Sequence, residues 1–140
     1  MTVVLDTNIL VSALRSNAGP CHALLRAVPS LKFKPALSVP LYTEYRDVLN
    51  RPGLIPPAIT AQDKEAVCNY LVQHSSLHEI HFLWRTLLND PKDDHILELA
   101  VAAQAGYIIT RNLKDFGPAK SFGITAIEPA KFIQLIGGLP

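Results

Sequence analysis

The chain reads as an α/β protein, an α/β sandwich built on a mainly parallel sheet. Short β-branched or apolar runs alternate with segments of helical character along its whole length, the pattern of strands joined by crossover helices. The run Tyr107-Ile108-Ile109-Thr110 is continuously apolar up to its end, as in a strand covered on both faces. At 140 residues, with no internal repeat or low-complexity segment, the chain suits one domain spanning residues 1–140.

Val3-Val4-Leu5 is a short buried first strand. Asp6-Thr7-Asn8 supplies N-cap residues for a helix through Ile9–Leu14, which Asn17-Ala18-Gly19-Pro20 breaks. Cys21–Ala27 forms a second helix with Leu24 and Leu25 turned inward. Pro35–Val39 is the next strand, and Pro40 fits the first turn of a helix to about Asn50, stopped by Pro52-Gly53. The run Arg51–Pro57 is a connecting loop. Thr60-Ala61-Gln62-Asp63 has capping-box spacing and opens a helix carrying Val67, Tyr70, Leu71 and His74. Leu77–Leu83 is a third strand. Asp94–Ala105 is the clearest helix: Ile96, Leu97, Leu99, Ala100 and Ala103 form its inner face and Gly106 ends it. The strand Tyr107–Thr110 follows, then a last strand at Ile124–Ile127 and a final helix over Pro129–Ile136, closed by Gly137-Gly138.

Composition narrows the functional classes. Thirteen Lys and Arg against twelve Asp and Glu give a net charge of +1, so any nucleic-acid contact must rest on a local patch. No apolar run reaches the roughly 20 residues of a membrane span. The opening Met1-Thr2-Val3-Val4-Leu5-Asp6 lacks the basic-then-apolar order of a signal peptide. Cys21 and Cys68 lack metal spacing and read as buried thiols in a reducing, cytoplasmic setting. An apolar fraction of 49 % is high for so small a chain and predicts a large core plus an apolar oligomer or partner interface. Tyr42, Tyr45, Leu49 and the helix around Leu10–Leu14 are the first places to look for it.

The chemistry lies in carboxylates far apart in sequence. Asp6, Glu44, Asp94 and Asp115 each fall just after a strand or in the helix that follows one, and in an alternating chain such positions converge on one edge of the sheet. Singly, each has an ordinary role: Asp6 as an N-cap, Glu44 as a solvated helix residue, Asp94 as a first-turn acid favoured by the helix dipole, Asp115 as a turn residue. Together they would repel one another unless a cation sits among them, and a hard divalent ion such as Mg2+ or Mn2+ is the natural occupant. Such sites commonly hydrolyse phosphodiester bonds. Thr7 and Asn8 could orient Asp6 or a bound water, or simply cap the helix. Arg111, Lys92 and Lys114 flank the acids and could contact phosphate or balance their charge. Asp90 suits a loop cap, and His95 an exposed helix position or an RNA contact. His74, His78 and His81 are only loosely like a zinc tract, because the segment passes from helix to strand. No nucleophile elbow and no Gly-rich phosphate loop is present.

Val3-Val4-Leu5-Asp6-Thr7-Asn8, the Glu44 helix, Asp94-His95-Ile96-Leu97-Glu98-Leu99-Ala100, and Ile108-Ile109-Thr110-Arg111-Asn112 with Lys114-Asp115-Phe116 resemble a PIN domain, in particular the VapC-like toxins of toxin–antitoxin pairs. The resemblance runs over essentially the whole chain and is weakest from about Arg51 to Leu88. It implies a three-layer α/β/α sandwich and a Mg2+- or Mn2+-dependent ribonuclease. The family's acidic residues map onto Asp6, Glu44, Asp94 and Asp115, with Asp93 as a neighbour whose side chain either reaches the pocket or caps the helix. Asn112 stands where relatives often carry Asp or Asn, and offers a carbonyl oxygen without charge. The implied partners are an RNA substrate, a cognate antitoxin protein and a second copy of the chain. The competing readings are a non-catalytic PIN module that binds RNA or a protein, and a nuclease for structured DNA, for which the chain lacks room.

Overall fold

The computed structural model describes residues 1–80, 88 and 90–139. Its elements are β1 (Thr2–Leu5), α1 (Thr7–Arg15), α2 (Pro20–Arg26), β2 (Lys34–Leu37), α3 (Val39–Leu49), α4 (Ala61–His74), β3 (Ser76–Leu77), α5 (Asp94–Ala102), β4 (Tyr107–Ile109), β5 (Thr125–Ile127) and α6 (Pro129–Leu135). A 3₁₀ turn, Pro91–Asp93, leads into α5, and a kinked 3₁₀ segment, Leu113–Phe122, joins β4 to β5.

The strands form one all-parallel sheet in the order β3-β2-β1-β4-β5. β1 lies at its centre with Val3, Val4 and Leu5 sealed from solvent, as a strand covered on both faces must be. From β1 the chain steps to β2 in one direction; from β3 it crosses back to β4 in the other. Crossovers are right-handed, so this reversal puts the connecting helices on opposite faces and gives the three-layer α/β/α sandwich. α5 packs on β1 and β4, whereas α1 packs against α2 and α3, and α2 against α6. Phe33 and Phe132 meet edge to face at 5.5 Å in the core.

Local chemistry explains most boundaries. Ser38 caps α3, its hydroxyl accepting Leu41 N–H at 3.2 Å, so β2 stops at Leu37 rather than at Val39. The capping box of α4 is complete: Thr60 Oγ1 accepts Asp63 N–H at 3.1 Å and Asp63 Oδ2 accepts Thr60 N–H at 2.8 Å. β3 is shorter than the sequence suggests. It covers Ser76–Leu77, with His78 N–H still reaching Leu37 O at 2.9 Å, and residues 81–83 of the expected strand lie outside the described residues.

The end of α5 departs from expectation. The helix stops at Ala102, and the left-handed residue is Gln104, at φ 53°, not Gly106. Ala105 N–H bonds Ala100 O at 2.9 Å and Gln104 N–H bonds Val101 O at 3.1 Å, the two closures of a Schellman motif. A Cβ at left-handed φ costs about 1–2 kcal/mol, which glycine avoids at the expense of some chain entropy. Gln104→Gly is therefore expected to stabilise the fold by up to about 1 kcal/mol. Urea unfolding should show a higher midpoint with unchanged slope; a lower midpoint would mean that the Gln104 side chain contributes more than its backbone costs.

Candidate active site

β1 and β4 are the neighbouring strands between which the sheet changes winding direction, and the crevice beyond their carboxyl ends is where ligands bind in such sheets. Their register, Leu5 opposite Ile109, carries on past both strands. Asp6 N–H bonds Ile109 O at 3.0 Å, so the next residues, Asp6 and Thr110, stand abreast.

Asp6 is only 7 % exposed, and its carboxylate is held by three donors. Oδ1 accepts Thr7 N–H at 2.8 Å, which is also the cap of α1. Oδ2 accepts the Thr110 hydroxyl at 2.7 Å and the Asn8 amide at 3.3 Å. Burial raises the Asp6 pKa; the bonds from Thr110 and Thr7 pull it down, and the charges of Glu44 and Asp115 push it up. The fully buried Thr110 hydroxyl also accepts Asn112 N–H at 3.0 Å, and Asn8 Oδ1 accepts Arg111 N–H at 3.4 Å. The loop after β4 is thereby tied to the start of α1.

Glu44 is brought in from α3. The hydroxyl of the buried Tyr45 donates to Leu5 O, which fastens the middle of α3 to the end of β1. Glu44 then accepts the Thr7 hydroxyl at Oε2 and lies 3.1 Å from His95 Nε2 at Oε1. Burial acts to raise its pKa, but the bonds from His95 and Thr7, with the charges of His95 and Arg51, together outweigh it and the net shift is downward. Among the described residues, His95 is the basic side chain that approaches Glu44.

Asp93 and Asp94, neighbours at the position of the third acid, sit differently. Asp93, at the end of the 3₁₀ turn, shares the field of the cluster: its pKa is raised to about 6, first by burial and then by the charges of Asp6, Asp90, Asp115 and Glu44. Asp94 is engaged elsewhere. Its Oδ1 accepts Leu88 N–H at 2.9 Å, and its charge bears on Glu98 one helical turn on. One residue at the start of a helix turns a side chain by about 100°, enough to exchange the two roles. Asp115 is half-buried in the 3₁₀ segment and contributes charge to both Asp6 and Asp93. Arg111, Asn112 and Lys114 are exposed at the rim. Asp90 caps the 3₁₀ turn, its Oδ1 accepting Lys92 N–H at 3.0 Å.

Two contributors had no strong sequence signal. Thr110 reads as the end of a strand, and only the β1–β4 register reveals it as the partner of Asp6. His95 reads as an exposed helix residue, yet it faces Glu44 with its Nδ1 buried and, among the described residues, without a hydrogen-bond partner. The expected interface residues Leu10, Tyr45 and Leu49 belong to the core. Tyr42 does reach the surface, in an apolar groove of about 580 Å³ with Val39, Val72 and Leu77. His78 Nε2 lies 2.9 Å from Ser76 Oγ, His74 stacks edge-on against Tyr70, and His81 lies outside the described residues.

The carboxylates around the crevice offer oxygens, the donors a hard divalent cation takes, and burial followed by the neighbouring acids raises the Asp93 pKa. Among the described residues no three His, Cys, Asp or Glu side chains stand gathered as a metal-holding group. Asp6 and Glu44 are drawn instead to their hydroxyl and imidazole partners.

The fold is a parallel α/β/α sandwich with acidic residues beyond its winding switch. The chain belongs to the PIN domain family, whose model matches residues 2–114. The fold is similar to a chain in the crystal structure of VapBC2 from Rickettsia felis bound to a DNA fragment from their promoter. The TM-score is 0.57 and the identity 15 %, over 91 % of this chain and 98 % of that one. No curated protein matches the chain significantly. No described helix is long and apolar enough to cross a membrane.

The Asp93 shift has a stability consequence. Its folded-state pKa, about 6, lies above the 3.8 of an unperturbed Asp, so the native state binds the proton more tightly than the unfolded chain. The stability this confers is full below about pH 4 and is lost as pH rises through about 6. In chelator, Asp93→Asn should raise the thermal midpoint over the parent chain above pH 6 and leave it nearly unchanged at pH 4. An equal difference at both pH values would place Asp93 outside the acidic field.

Proposed function

We propose that this chain is a metal-dependent endoribonuclease that hydrolyses RNA phosphodiester bonds at a carboxylate-held Mg2+ or Mn2+ site. We further propose that it is the toxin of a type II toxin–antitoxin pair, acting in the cytoplasm. The observation that supports this reading is the shared electrostatic field of Asp6, Glu44, Asp93 and Asp115, with Asp6 beyond the carboxyl end of β1, in a chain of the PIN family.

Asp6, Glu44 and Asp115 are the residues that would hold the ion, with the third acid supplied by Asp93 or Asp94; the acidic field around Asp93 favours Asp93. When bound, the ion supplies Lewis acidity, polarising a phosphoryl oxygen and lowering the pKa of water beside it. The chain's own work is positioning and electrostatics. Thr7, Asn8 and Thr110 fix the Asp6 carboxylate against rotation. His95 and Thr7 hold Glu44 beside it. Asn112, exposed at the mouth, offers a neutral carbonyl oxygen where a further carboxylate would bind a second ion more strongly.

The reading includes protein partners. The fold's similarity to a chain of a VapBC2 complex supports an antitoxin partner. The apolar groove lined by Val39, Tyr42, Val72 and Leu77 offers a packing surface either to it or to a second copy of the chain.

The test is cleavage of a labelled mixed RNA pool by purified protein with Mg2+, Mn2+ or EDTA, beside Asp6→Asn, Asp93→Asn and Asp94→Asn. Cutting should need the metal and fall on the order of 100-fold or more in the Asp6 and Asp93 variants. Asp94→Asn keeps the oxygen that accepts Leu88 N–H and should retain activity to within about tenfold. Loss in Asp94→Asn with survival in Asp93→Asn would restore the original set. Absence of metal-dependent cutting would turn the reading to a binding module.

A further inference from the structure

We propose that the cleft between α1 and the Arg111 loop is the subsite that receives the sugar-phosphate backbone of single-stranded RNA beside the acidic crevice. This inference rests on the ribonuclease reading for the identity of its ligand. The cleft encloses about 540 Å³ and is lined by, among others, Asn8, Ser12, Arg15, Ser16, Arg111 and Asn112.

Helical spacing builds it. Asn8, Ser12 and Arg15 stand at i, i+4 and i+7 of α1, one polar stripe along one face. The stripe runs roughly 10 Å, longer than a single phosphate group. It begins at Asn8, whose amide holds Asp6, and ends at the Arg15 guanidinium. Across the cleft, Arg111 is set by its backbone N–H on Asn8 Oδ1 and by its guanidinium donating to Cys21 Sγ at 3.9 Å.

Charge argues for the occupant. Among the described residues no carboxylate lines this cleft, and neither Arg15 nor Arg111 makes an ion pair. Two unpaired guanidinium groups with hydroxyls and amides between them match a chain of phosphates and sugar hydroxyls. The acidic crevice next door repels a phosphodiester, so a flanking cationic track is what would bring the strand across it. Among the described residues the cleft has no aromatic lining on which a base could stack, so it supplies affinity and register rather than base choice.

The experiment is fluorescence-polarisation binding of labelled single-stranded RNA oligomers of several sequences to the Asp6→Asn chain. Arg15→Ala, Arg111→Ala and Lys34→Gln are each added to that background. Lys34 begins β2, at the opposite edge of the sheet, and serves as a charge-matched control. Each Arg variant should weaken binding roughly tenfold for every sequence and lower the slope of log K against log salt by about 0.7. Arg15→Lys and Arg111→Lys should recover much of the salt slope, which a merely structural loss would not allow. In the metal-loaded chain with Asp6 intact, Arg15→Ala should raise KM far more than it lowers kcat. Unchanged affinity in both Ala variants, or equal weakening by Lys34→Gln, would overturn the subsite even if the chain cuts RNA. Arginine-dependent RNA binding in a chain that cuts nothing would uphold the cleft and sink the ribonuclease reading alone.

Discussion

The parallel pairing of β1 with β4 is the constraint on which the site depends. It joins strands distant in sequence at the centre of the sheet, and its register sets Asp6 level with Thr110. A carboxylate 7 % exposed is costly to keep charged, and the cost is offset by the Thr7 N–H, the Thr110 hydroxyl and the Asn8 amide. The same oxygens cap α1, so the fold and the site draw on one group. Slipping the strands by one residue would leave Asp6 buried beside an apolar side chain and remove its strongest side-chain donor.

Around that fixed point the other acids arrive by independent routes. Tyr45 fastens α3 to the end of β1, which sets Glu44 beside Thr7. The 3₁₀ turn before α5 delivers Asp93, and the 3₁₀ segment after β4 delivers Asp115. Each route is locally stable by its own caps and hydrogen bonds. What they have in common is unfavourable, because burial and mutual repulsion raise the pKa of both Asp6 and Asp93. A fold selected for stability alone would not gather them. Breaking a local rule where the surrounding structure compensates is the physical mark of a functional site.

The class of fold and the helices were legible because period and caps are local. The Thr60–Asp63 box, the apolar β1 and β4, and the inner face of α5 each declare themselves within a few residues. The end of α5 was misread because the left-handed position fell on Gln104, where no glycine advertises it. Local signals do not separate Asp93 from Asp94 as the third acid, for a related reason. Choosing between Asp93 and Asp94 requires the helix start to within one residue, and boundaries are where local signals are weakest. Thr110 and His95 could not be found locally at all, since their roles exist only once β4 lies beside β1 and α5 beside α3. Leu10, Tyr45 and Leu49 looked like surplus apolar surface and proved to be core, because a central sheet covered on both faces absorbs more apolar area than a chain of this length suggests.

A net charge of +1 conceals a segregated surface, with acids at the crevice and guanidinium groups on the cleft beside it. Seen from beyond roughly 10 Å of physiological electrolyte, the two largely cancel, so the chain has little long-range pull on any polyanion. Close in, they act in opposite senses on the same strand. Under the ribonuclease reading, the crevice would repel phosphate until a divalent ion neutralised it, while the cleft would attract phosphate throughout. Under the ribonuclease reading, ion and RNA therefore favour each other's binding, because each removes a charge conflict that opposes the other. That coupling needs no moving part. It follows from placing a cationic track and an anionic crevice on either side of Asn8, the residue whose amide bonds Asp6 and whose carbonyl oxygen bonds the Arg111 loop.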